Sequence, residues 1–96
     1  MKTYNNIKIG DLVTLSSSFK KLRFHKGTSP IYRWVIGSRG HIVTAKFASN
    51  QTAIVTRIDN VFTSDPDSRN YKAYRLLTDS GDVGWFCEGA KWLIKN

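Results

Sequence analysis

No aspartate or glutamate occurs between Asp11 and Asp59, a stretch that carries Lys20, Lys21, Arg23, Lys26, Arg33, Arg39, Lys46 and Arg57. The remainder balances seven cations against seven anions, so the whole net charge of +8 belongs to that stretch. A one-signed segment of this kind says little about fold. It concentrates polyanions around the chain and speeds their capture, which makes nucleic acid the leading partner.

Cysteine is almost missing. Cys87 stands alone, which excludes an internal disulfide and points to a reducing cytoplasm. No apolar run approaches the roughly 18 residues a membrane span needs, and Met1 to Ile7 has no apolar core of the signal-peptide type. A soluble, cytoplasmic protein without membrane contact is expected. Internal repeats, low-complexity linkers and a Gly-x-x-x-x-Gly-Lys phosphate loop are all missing too, and no cofactor is predicted.

Metal-ligand spacing is equally scarce. His25 and His41 would need Cys87 and a fourth group, without any Cys-x-x-Cys or His-x-x-x-His pattern to gather them, so loop histidines are the preferred reading. A Cys87–His nucleophilic pair has no local signature. Asp65, Asp67 and Lys72 suggest a nuclease only superficially, because Asp65-Pro66-Asp67-Ser68-Arg69-Asn70 is better explained as a turn. A non-enzymatic protein is expected.

With 96 residues the chain forms one domain, 1–96, and its core is small, since such chains bury only ~60–65% of their unfolded surface. Strand patterns dominate what is present. Ile9 to Leu15 opens on a Gly-Asp turn and reads as a first strand, and Thr52 to Ile58 is the clearest strand of all. Tyr71 to Thr78 and Val83 to Phe86 flank Asp79-Ser80-Gly81-Asp82 as a hairpin, and Trp92 to Ile94 is a last short strand. His41 to Phe47 is a further strand candidate. Ser29-Pro30 before Ile31 to Ile36 has the order of a helix start, yet its β-branched and aromatic content equally suits a strand.

Gly10-Asp11-Leu12-Val13, Ala53 to Ile58, and Asp79 to Phe86 with Trp92-Leu93-Ile94 together resemble the SH3-like small barrel of the KOW and Tudor type. The last block also resembles short barrel proteins of tailed bacteriophages, in which an aspartate-glycine turn precedes Gly-Trp-Phe and an acidic bend. The resemblance implies a mainly all-β fold, a small antiparallel five-stranded barrel, with a long basic insertion, 19–50, holding a short helix or an extra strand. It also implies a phage protein working in the cytoplasm of a bacterial host.

The basic segment interleaves its cations with Phe19, Phe24, Tyr32, Trp34 and Phe47, a mixture that lets lysine and arginine meet phosphates while rings stack on bases. Phe19 and Phe47 read as core, Tyr32 and Trp34 as surface. Trp85 and Phe86 are adjacent, so one faces the core and the other the opposite side; the Tudor resemblance implies that this other ring can join Tyr71, Tyr74 or Trp92 in an aromatic platform. The candidate binding set is therefore Lys20, Lys21, Arg23, Lys26, Tyr32, Arg33, Trp34, Arg39, Lys46 and Arg57. About five phosphate contacts on a duplex would give a salt slope near roughly −4.5.

The expected function is binding of the nucleic-acid backbone, DNA ahead of RNA, in transcription or genome handling. The alternative is a module that occupies and inhibits or redirects an acidic host protein. A structural virion component ranks lower.

Overall fold

The period-two patterns become strands in the computed structural model, which describes residues 6–35, 42–60 and 72–96. Among these residues lie β1 (Leu12–Leu15), β2 (Thr28–Tyr32), β3 (Val43–Ala48), β4 (Thr52–Asn60), β5 (Lys72–Thr78), β6 (Val83–Phe86) and β7 (Leu93–Lys95). One 3₁₀ turn, Ala90–Trp92, precedes β7. The strands pair antiparallel in one sheet ordered β3-β2-β6-β5-β4-β1-β7.

β3 and β7 are the two edges, and the sheet is open. That overturns the expected SH3-like barrel, and the KOW and Tudor resemblance with it. The cause lies in the segment 19–50. Expected as an insertion outside the barrel, it supplies β2 and β3, which carry the sheet outward beyond β6 while β7 extends it beyond β1. Seven strands in that order leave two edge ladders unpaired with each other.

Of the segment 31–36, open between helix and strand, Ile31 and Tyr32 fall to strand as the end of β2, residues 33–35 lie outside any strand, and Ile36 lies outside the described residues. Pro30 is tolerated in β2 because that strand is in register with β6 only at Tyr32, so its missing N–H interrupts no ladder on that side. Thr44 is the extra residue of a bulge opposite Ile31 and Tyr32. Its hydroxyl donates to the carbonyls of Ile31 (3.3 Å) and Val83 (3.1 Å), tying β3 to both β2 and β6. Gly84 makes that approach possible, since a Cβ there would lie 2.8 Å from both Ile31 Cγ1 and Thr44 Oγ1.

Every strand sends side chains into one core: Val13 and Leu15, Ile31, Phe47, Ala53 and Val55, Tyr74 and Leu76, Phe86, and Leu93. A single sheet can gather residues from all its strands only by curving around them. Phe19, from the loop after β1, fills the hollow, with its ring 6.3 Å from Phe86 and edge-on to Trp92 at 5.3 Å. Phe19 and Phe47 thus take the core places expected of them. Leu93 points inward and Ile94 outward, whereas Trp92, expected as a strand residue, lies in the 3₁₀ turn and packs against the core.

The opposite face of the sheet is not uniformly polar. Tyr32, Val35, Ala73 and Cys87 form a second buried cluster there, with Trp85 packed against it. Phe86 is buried in the main core while Trp85 is half-buried on the outer face, the split that alternation along β6 requires.

Candidate nucleic-acid interface

The outer face is ordered by strand register, because residues directly opposite each other across a ladder share a face. Arg57 on β4 pairs with Arg75 on β5, Arg75 pairs with Trp85 on β6, and Trp85 pairs with Tyr32 on β2. Two arginines and two aromatics therefore stand in one row. Two residues further along β5 and β6, and three along the bulged β4, runs a second row, Leu12, Ile54, Leu77 and Val83, also in direct register across β1, β4, β5 and β6. Leu12 is 50% exposed, and Leu77 and Val83 are each 39% exposed. Leu12, Thr52, Ile54, Leu77 and Asp79 line a shallow open hollow on this side.

Among the described residues neither Arg57 nor Arg75 has an ion-pair partner. Among the described residues the ion pairs are Lys21–Glu88 (3.1 Å) and Lys95–Asp11 (3.3 Å), neither of which reaches the row. Asp59 stands two residues beyond Arg57 on β4, but its Oδ1 accepts from the backbone N–H of Asn60 (2.8 Å) and it makes no ion pair with either arginine. The bulge between Val55 and Arg57 sets this arrangement: Thr56 is the extra residue, and its hydroxyl donates to the Arg75 carbonyl at 3.1 Å. Without that extra residue, alternation would turn Arg57 to the core face.

The other cations expected at the site are dispersed. Lys20 directs its ammonium to the carbonyls of Lys21 (3.1 Å) and Phe24 (2.8 Å), bracing its own loop. Lys21 is held by Glu88. Arg23, in a left-handed conformation (φ 73°), and Lys26 are exposed in the same loop. Lys46, on edge strand β3, lies 5.9 Å from the centre of the Phe24 ring, which joins it to this group. The Arg33 guanidinium lies 5.6 Å from the half-buried Trp34 ring beyond the end of β2. Four strand steps separate β3 from β4, about 19 Å along the sheet at ~4.8 Å per step. Arg57 therefore belongs to a different place from Lys46 and the loop, and Arg39 lies outside the described residues.

Tyr32 is corrected. Expected on the surface, it is 5% exposed, covered by the second cluster. Its phenol pKa is pushed up to about 12, first by burial, then by the nearby Glu88 carboxylate and Cys87. Glu88 itself accepts from Lys21 through Oε1, while its buried Oε2 has no hydrogen-bond partner. Tyr74, a platform candidate, is a core residue whose pKa burial also raises, and Tyr71 lies outside the described residues.

Arg75 escaped the sequence reading because it belongs to the charge-neutral half of the chain. The signal was present: a hairpin closing at Asp79 to Asp82 sets Arg75 opposite Trp85 by counting back from the turn. Cys87 is a buried thiol, His25 is an exposed loop residue, and His41 lies outside the described residues. Among the described residues no group of three His, Cys, Asp or Glu side chains could hold a metal ion, and no helix is long and apolar enough to cross a membrane.

Comparison of the chain with protein-family models, with curated proteins and with solved structures finds no match. The resemblance to phage barrel proteins therefore has neither a structural relative nor a closed barrel behind it, and it is set aside.

Proposed function

We propose that this domain is a nucleic-acid-binding protein that acts by binding rather than catalysis, and that its outer sheet face is the contact surface. One observation carries the reading: Arg57 and Arg75 stand directly opposite each other, and among the described residues neither has a carboxylate partner. Like charges in that register oppose folding, and an external polyanion relieves the repulsion by supplying phosphates to both guanidiniums. The net charge of +8 adds long-range attraction, with exposed Arg23 and Lys26 contributing to the field.

Fluorescence anisotropy with a labelled oligonucleotide at ~50 mM salt tests this. Wild-type protein is expected to bind, and Arg57→Ala with Arg75→Ala together to weaken binding and flatten the salt dependence by about 1.4 for a single strand, two contacts at ~0.7 each. Unchanged affinity and slope in the double variant would remove the sheet face from the mechanism.

The aliphatic row favours a second reading, an acidic protein segment that lays apolar side chains on Leu12, Ile54, Leu77 and Val83 and carboxylates beside the arginines. Retention of one acidic protein on the immobilised domain after nuclease treatment, lost on Leu77→Asp, would support it over the first.

A further inference from the structure

Resting on the nucleic-acid reading, we propose that the ligand is an unpaired strand, with one base stacked on Trp85 while Arg57 and Arg75 hold its phosphates. The two rows on the outer face differ in chemistry and run side by side, about 7 Å apart at ~3.4 Å per residue. One is cationic and aromatic, Arg57, Arg75 and Trp85; the other is aliphatic, with Leu77 beside Arg75 on β5 and Val83 beside Trp85 on β6. A duplex presents phosphates and sugars at its surface and hides the faces of its bases, so it can use the arginines but neither the indole nor the aliphatic row. An unpaired strand offers both surfaces at once, charged phosphates and apolar base faces.

Trp85 is placed for stacking. It lies between Tyr32 and Arg75 in the row, half-buried against the second cluster, so its ring is supported from below instead of swinging freely. A supported ring loses little conformational freedom when a base covers it. Arg75, directly opposite on β5, places a cationic residue beside Trp85 in the same row. Trp34 and Trp92 are held elsewhere, the first beside Arg33 and the second against Phe19.

The test compares a labelled 12-nucleotide oligo(dT) and oligo(U) with a 12-base-pair duplex at one salt concentration. The single strands are expected to bind more tightly, and Trp85→Ala to weaken them ~5- to 100-fold while leaving duplex affinity unchanged, with Trp85→Phe restoring most of the loss. Equal affinity for single strand and duplex, both insensitive to Trp85→Ala, would overturn the stacking role while leaving the phosphate reading standing. No binding of any oligonucleotide would overturn the reading beneath it. Because Trp85→Ala also removes a packed ring, a second measurement uses a protein carrying Trp34→Phe and Trp92→Phe. In it Trp85 is the remaining indole, and its fluorescence is expected to be quenched as oligo(dT) is added. Binding without quenching would overturn the proposal.

Discussion

Arg57 and Arg75 face each other across β4 and β5, paired with no acid among the described residues and placed there by a single bulge residue, Thr56. Replacing Arg57 with alanine should therefore separate stability from binding. Unfolding free energy is expected to stay level or rise by ~0.2–0.5 kcal/mol as the repulsion is relieved, while oligonucleotide affinity falls. Urea denaturation and anisotropy on the same preparation check both halves.

Lys21 and Glu88 behave in the opposite way. The Glu88 side chain is 14% exposed and one of its carboxylate oxygens already lacks a partner, so Lys21→Met leaves a poorly solvated charge behind. A destabilisation of about 1–3 kcal/mol is expected, read by urea denaturation. Oligonucleotide affinity measured below the denaturation midpoint should change little, because this lysine is committed to its carboxylate.

Gly84→Ala tests how closely β2 and β3 approach β6. An added methyl would meet the β-branched side chains of Ile31 and Thr44 at 2.8 Å, close to their backbone attachment. The expected loss is ~1–3 kcal/mol, measured as a lowered urea midpoint with an unchanged slope.

The buried Tyr32 predicts an alkaline limit. Its folded pKa is raised above the ordinary value of 10, so its contribution is fully present below pH 10 and is lost as pH rises through about 12. The unfolded chain releases the phenolic proton first, and stability falls across that window. Tyr74, raised in the same direction by burial, adds to the fall. Urea midpoints between pH 9 and about 11.5 should decline in the wild type and decline less in Tyr32→Phe.

The hairpin at residues 79–82, the strand from Thr52 to Ile58, which runs on to Asn60, and the core roles of Phe19 and Phe47 were legible in the sequence, since local alternation and turn chemistry determine them. The open sheet was not. Whether β2 and β3 close a barrel or extend a sheet depends on pairing between segments far apart in the chain, which no local pattern records. The same limit hid the site. Charge counting along the chain singled out Lys20, Lys21 and Lys46, whose side chains brace the loop, pair with Glu88 or rest on Phe24. Arg75 became a candidate only through its register with Arg57 and Trp85. Deleting 19–50 would also remove Phe19, Ile31 and Phe47 from the core, so the expected outcome is an unfolded chain and not a neutral scaffold.

Backbone amide NMR shifts recorded during titration with oligo(dT) distinguish binding at the outer face from binding at the basic loop. Contact at the outer face is expected to give perturbations centred on residues 54–57, 75–77 and 83–85. Perturbations confined to residues 20–26 and 46, or no perturbation at all, would contradict it.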